Sequence, residues 1–130
     1  MLLVFIFVLG LIVGSFLNVV VYRLSVGGSP FTGRSSCPSC AQVLSVRDLV
    51  PVLSFIALRA RCRYCHRPVS WQYPLVELAT AVSFLLIAFY LSRGGLITQD
   101  FSLKFTLLAA SASFLIVIFV YDLRKYLILD

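Results

Sequence analysis

Three apolar runs constrain this chain more than any other feature: residues 1–22, 75–91 and 105–121. The first holds no charged side chain in 22 residues. At about 1.5 Å of rise per residue, a helix of that length measures about 33 Å, against a hydrocarbon core of about 30 Å. The second and third are 17 residues each, short enough to need an extra turn from their flanks. The second is opened by Pro74 and carries Glu77 in its first turn. Of 130 residues, 61% are hydrophobic and 12% charged, against roughly 45–50% apolar in soluble domains. These figures exclude a soluble globular domain, a disordered chain and a collagen-like one, and the length leaves room for one domain. The first run lacks the charged n-region and small-residue cleavage site of a secretory signal, so it reads as a retained anchor. No internal repeat or low-complexity segment is evident.

The formal charge of +6 is distributed as an orientation signal rather than as a phosphate footprint, so no nucleic-acid partner is expected. Residues 23–73 hold Arg23, Arg34, Arg47, Arg59, Arg61, Arg63 and Arg67 against Asp48 alone. By the positive-inside rule this loop is cytoplasmic and the N-terminus lies outside.

All four cysteines fall in that loop, as Cys37-Pro38-Ser39-Cys40 and Cys62-Arg63-Tyr64-Cys65, with 21 residues between the pairs. Two residues between thiolates let both sulfurs reach one ion at about 2.3 Å, and two such knuckles close a tetrahedral zinc site. A reducing compartment keeps the thiols available for metal. Two disulfides are the alternative. His66 after Cys65 also spells CxxCH, a haem attachment string. Between the knuckles, Asp48 precedes an apolar stretch containing Pro51, which predicts an N-cap and a short helix near 49–58. Two placements stay open for it: at the membrane interface, where arginines meet anionic lipid, or in the core of the zinc module.

Gly10 and Gly14 form a GxxxG in the first run, followed by Ser15 and Asn18. Small residues admit a second helix, and a buried Asn amide needs a hydrogen-bonding partner. Glu77 has a structural reading, an acid favoured by the helix dipole, and a functional one, an acid beside the membrane. Asp122, at the end of the third run, sits where a dipole repels it. Pairing with Arg124 or Lys125 is one account, and general acid/base catalysis is the other.

In this order the segments resemble the prepilin peptidases, also called type IV leader peptidases. The blocks are Gly14-Ser15-Phe16-Leu17-Asn18-Val19-Val20-Val21-Tyr22-Arg23-Leu24, the Cys37/Cys40 knuckle, Asp48-Leu49-Val50-Pro51-Val52-Leu53-Ser54, Arg61-Cys62-Arg63-Tyr64-Cys65, Tyr73-Pro74-Leu75-Val76-Glu77-Leu78, and the Asp122 segment. The resemblance implies a polytopic aspartic endopeptidase of the bacterial inner membrane, serving type IV pilus and type II secretion systems. Such an enzyme removes the basic leader of prepilins or pseudopilins, and many members N-methylate the new terminus from S-adenosylmethionine. Asp122 matches the first catalytic aspartate, and Cys37, Cys40, Cys62 and Cys65 match the zinc tetrad. Glu77 falls in a block that could serve substrate or methyl donor.

The expected fold is therefore an all-α integral membrane domain with three transmembrane helices and a cytoplasmic four-cysteine zinc-knuckle loop between helices 1 and 2. Helix 1 covers 1–22, the loop 23–73, helix 2 74–91, an extracytoplasmic loop 92–104 and helix 3 105–121. The start of a cytoplasmic aspartate motif covers 122–130. Family members carry a second aspartate in a GxGD-type motif in later spans, and nothing here resembles it. The chain is thus expected to be the N-terminal part of the enzyme, inactive alone and completed by the segment carrying that aspartate. Asp130 matches the polar residue ending the first motif rather than the missing partner, and Leu129 stands for the usual proline. Ala60 replaces a common glycine associated with methyl transfer. The alternative function is a non-catalytic membrane-anchored zinc module that binds pilin precursors or assembly partners.

Overall fold

The computed structural model describes residues 1–93 and 99–128. Helix α1 spans Leu2–Ser25, a short 3-10 turn Val46–Leu49, α2 Leu53–Ala57, α3 Gln72–Arg93 and α4 Gln99–Ile128. Among the described residues there is no strand, only two isolated antiparallel bridges in the loop between α1 and α3. Helices α1, α3 and α4 are each long and apolar enough to cross a membrane.

Each long helix outruns its apolar run. Helix α1 continues to Ser25, α3 begins two residues before Pro74, and α4 runs from Gln99 to Ile128. The polar flanks keep the backbone ladder going, because an α-helix satisfies its main chain whatever its side chains meet. The loop expected over 92–104 is therefore already helical at 92–93 and 99–104, and residues 94–98 lie outside the described ones. The segment from Asp122 to Ile128 continues α4 instead of leaving it. Asp130 and Leu129 lie outside the described residues.

Helices α1 and α3 pack antiparallel in a register fixed by small residues. A Cβ on Gly14 would lie 2.6 Å from Glu77 Cα, and one on Gly10 would collide with the Ala81 backbone. The GxxxG of α1 thus receives α3 at Glu77 and Ala81, one turn apart. One turn further along, Asn18 Nδ2 donates to the Tyr73 carbonyl at 2.9 Å. In lipid, where apolar contact between helices brings no hydrophobic gain, close backbone approach and interhelical hydrogen bonds hold such a pair.

Helix α4 runs parallel to α1 along this pair. Ala109 packs with Ile6, Phe84 and Ala88, and Val120 with Leu17, Val21 and Val76. It is the least enclosed helix: 11% of its apolar window is buried, against 33% for each of the others. Phe5, Ile12 and Phe16 on α1, Phe89 on α3, and Phe114 and Phe119 on α4 face outward, as in a protein whose solvent is lipid.

The single helix expected over 49–58 forms as two pieces. Val50, directly before Pro51, is extended at φ −64° and ψ 117°. A residue before proline is pushed out of the helical region by the ring. Asp48 is not the N-cap either: Ser45 is, and the Asp48 carboxylate accepts from the Ser45 N–H at 3.1 Å.

Candidate functional site

The two CxxC knuckles are built alike. In the first, Cys37 N–H donates to the Gln42 carbonyl at 3.0 Å, Ala41 N–H to Cys37 at 2.9 Å and Leu44 N–H to Ser35 at 2.9 Å. In the second, Cys62 N–H donates to Arg67 at 2.9 Å, His66 N–H to Cys62 at 3.1 Å and Val69 N–H to Ala60 at 2.7 Å. The residue after each pair is left-handed, Ala41 at φ 58° and His66 at φ 58°. Segments 35–45 and 60–70 are thus one unit used twice, 25 residues apart. This repeat is not evident in the sequence.

Back to back, the knuckles bring the four sulfurs within 4.8 Å of one another. Cys37 and Cys65 Sγ lie 3.7 Å apart. That is far beyond a disulfide bond of about 2.05 Å, and it is close to the edge of about 3.8 Å of a tetrahedron with metal–sulfur bonds of about 2.3 Å. All four cysteines are free, so the disulfide alternative is not realised. The Cys62 and Cys65 sulfurs belong to this cluster and are not a separate haem-attachment pair. Burial pushes the Cys37 thiol up, but the N–H groups of Cys40 and Ser39 and the thiols of Cys62 and Cys40 outweigh it and bring it down to about 6. The Gln42 N–H lowers Cys40, yet burial and the neighbouring Cys37 and Cys65 sulfurs hold it up at about 11. Four sulfurs gathered this closely are a donor set that a dication completes.

Asp48 ties the 3-10 turn to the second knuckle. Its carboxylate is 2% exposed and pairs with Arg63 Nε at 2.6 Å, and it accepts from Ser45 Oγ at 2.9 Å. Burial alone would raise this acid. The Arg63 and Ser45 hydrogen bonds win and hold it below 3.8, the ordinary value.

A second link joins the loop to the membrane helices. The buried Glu77 carboxylate accepts from the Val52 main-chain N–H at 2.7 Å. Val52 is held at φ 60°, a left-handed conformation costly for a β-branched residue. Beneath the loop lies a cleft of about 590 Å³ whose lining includes Ser15, Cys37, Asp48, Tyr73, Glu77 and Arg124. The cysteine centre and Glu77 therefore share one cavity at the loop ends of α1 and α3.

Asp122 is not in that cavity. It is exposed on the outer face of α4, along the same helix surface as Leu115, Phe119 and Tyr126, which are 65%, 66% and 71% exposed. Neither basic neighbour pairs with it. Arg124 lies over the Tyr22 ring at 5.3 Å and Lys125 over the Tyr121 ring at 5.4 Å. The local ion-pair account of Asp122 is therefore not realised, and the helix running on to Ile128 removes the end-of-helix dipole argument.

A family model described as the bacterial peptidase A24 N-terminal domain matches residues 8–91. The chain belongs to that family. Its relatives include the prepilin leader peptidase/N-methyltransferase of Myxococcus xanthus, 56% identical over 62% of this chain and 24% of that protein. The enzyme of the same name from Pectobacterium carotovorum subsp. carotovorum is 40% identical over 95% of this chain and 49% of its own length. The type 4 prepilin-like proteins leader peptide-processing enzyme of Escherichia coli O78:H11 is 39% identical over 78% of this chain and 45% of its own. The chain spans at most about half the length of these relatives. No solved structure matches it significantly.

Beyond the residues that the A24 model matches, the least legible residue is Arg124. The sequence offers it as an ion-pair partner of Asp122, yet its Nε is buried without a hydrogen-bond partner, and it lines the same cleft as Tyr73 and Glu77. The i, i+3 spacing of Arg124 and Leu127, both lining that cleft, is the signal that could have found it.

Proposed function

We propose that this chain supplies the first catalytic carboxylate and the substrate-facing loop of a membrane aspartic endopeptidase. That enzyme removes the leader of type IV prepilins or pseudopilins and N-methylates the new terminus. The observation that carries the reading is Asp122 on an apolar, outward face of α4 with no polar partner among the described residues. An acid on such a surface is costly unless a further element covers it. A second carboxylate brought by that element would share one proton with Asp122. One carboxylate then takes a proton from the attacking water while the other protonates the scissile carbonyl or the leaving amine. By this reading the 130 residues provide one of two carboxylates and do not cut alone.

Cys37, Cys40, Cys62 and Cys65 would hold a structural zinc ion, a closed four-thiolate site with no open position for substrate. Glu77 carries the loop through Val52 and lines the substrate or methyl-donor side of the cleft. S-adenosylmethionine would supply the methyl group for the second activity. The arginine surplus of the loop supports a cytoplasmic loop and an outside N-terminus, in a bacterial inner membrane. Reporter tags at the N-terminus and in the loop test that orientation, and an outside loop overturns it.

For the function itself, membranes containing the chain together with the segment bearing the second aspartate are assayed for cleavage of a prepilin. Asp122→Asn is expected to abolish cleavage at unchanged protein level and zinc content. Full activity in that variant refutes the assignment.

A further inference from the structure

The second knuckle also faces a cleft of about 510 Å³, lined by Arg59, Arg61, Arg63 and His66 with Ala57, Leu58 and Cys62; Leu58, Arg61, Cys62 and Arg63 line the larger cleft as well. Of these arginines only Arg63 has an acidic partner: Asp48–Arg63 is the single ion pair among the described residues. Arg59 and Arg61 stand with no carboxylate on them, immediately after α2. Arg59 and His66 line this cleft and not the one beneath the loop, and a basic leader peptide would be repelled from it.

Beside the cleft the surface is apolar where a water-facing loop would be polar. Leu53 and Ile56, on one face of α2, are both 66% exposed. Trp71, itself 67% exposed, packs edge-on against Phe55 at 4.9 Å between ring centroids. The level of this patch relative to the membrane is fixed, since Trp71 directly precedes α3 and Val52 hangs from Glu77 in the second turn of α3. A tryptophan at the end of a spanning helix marks the headgroup level. An exposed apolar face at that level, next to unpaired arginines, fits a surface that is apolar beneath and anionic above.

We infer that the α2 face and the Arg59/Arg61 cleft form an anionic-phospholipid site, with Leu53, Ile56 and Trp71 set into the interface and the arginines on lipid phosphates. The occupant is the lipid surface rather than a soluble phosphate, because only lipid also covers the apolar half. The site stands independently of the proteolytic reading.

Trp71 is the only tryptophan in the chain, so its fluorescence reports on this site alone. The full chain, zinc-loaded, is reconstituted in phosphatidylcholine vesicles containing a minor fraction of brominated phosphatidylglycerol, or of brominated phosphatidylcholine at the same fraction. The anionic quencher is expected to quench about twice as strongly, an enrichment within reach of two arginines at an anionic surface. The double variant Arg59→Gln/Arg61→Gln should equalise the two lipids, and Arg59→Lys/Arg61→Lys should keep most of the preference at unchanged zinc content. Equal quenching in the natural chain overturns the proposal, and so does a preference that survives the Gln variant. Abolition of the preference by millimolar inorganic phosphate at constant ionic strength also overturns it, by assigning the site to soluble phosphate.

Discussion

The Glu77 carboxylate, on a helix that packs against α1, holds the Val52 main-chain N–H of the four-cysteine loop at 2.7 Å. It is the direct hydrogen bond between the left-handed Val52 turn and the helix pair. Glu77→Ala leaves that N–H without its acceptor and is expected to destabilise the loop by about 1–3 kcal/mol. Glu77→Gln keeps a carbonyl acceptor and should cost less. Thermal melts of the detergent-solubilised chain, read together with protease sensitivity of the loop, check this. Equal behaviour of both variants and the natural chain would show that the bond carries nothing.

Loss of metal should be local. With zinc removed by a chelator, the arginines of residues 34–67 should become accessible to trypsin while helical circular dichroism from the three long helices persists. Freshly purified reduced protein is expected to hold one zinc per chain, and Cys37→Ser to hold much less. Metal-free reduced protein with an intact, protease-resistant loop would sink the assignment.

Gly14 admits no larger side chain, since its Cβ would meet Glu77 Cα at 2.6 Å. Gly14→Val should part α1 from α3 and cost about 1–3 kcal/mol, as overpacking does. Ile12→Leu, on the outward face, should be silent. The comparison is made by melting temperature in one detergent, and a silent Gly14→Val contradicts the packing.

Asp48 gives the loop a pH dependence of definite sign. Its carboxyl titrates below the ordinary 3.8 in the folded chain, so the folded state favours the charged form. The stabilisation is fully present above the unfolded value of about 4 and is lost as the pH falls through the folded value. The stability deficit of Asp48→Asn should therefore be largest near neutrality and shrink below pH 4. A deficit independent of pH in that range would place its origin outside the Arg63 and Ser45 hydrogen bonds.

Ala60 sits at φ 59° beside Arg59 at φ 52°. Left-handed backbone costs an L-residue roughly 1 kcal/mol that glycine avoids. Ala60→Gly is therefore expected to stabilise the zinc-loaded loop by up to about 1 kcal/mol, read as a higher melting temperature. A lower one would show that the Ala60 methyl is packed.

The three long helices and the four-sulfur cluster were legible in the sequence, because uncharged length and CxxC spacing act through local geometry alone. The helix ends were not, since Gln72, Tyr73 and the residues after Asp122 look polar yet satisfy their backbone in the helix. The break at Val50 was written in Pro51, but it reads equally as a helix start. The doubled knuckle was hidden because segments 35–45 and 60–70 coincide only at the cysteines and at Ser45 and Ser70, while the backbone repeats throughout. Asn18 announced its need for a partner, but Tyr73 as that partner, and Glu77 under Val52, depend on helix register. No single segment contains that register.

The two glycine notches of α1 make this register a gauge of height. Gly14 meets Glu77 and Gly10 meets Ala81, so α3 cannot slide along α1 by a turn, about 5.4 Å, without driving side chains into backbone. Because Val52 hangs from Glu77, such a slide would raise or lower the whole cysteine loop by the same amount. The elevation of the loop above the bilayer is thus calibrated inside the membrane, by two missing side chains.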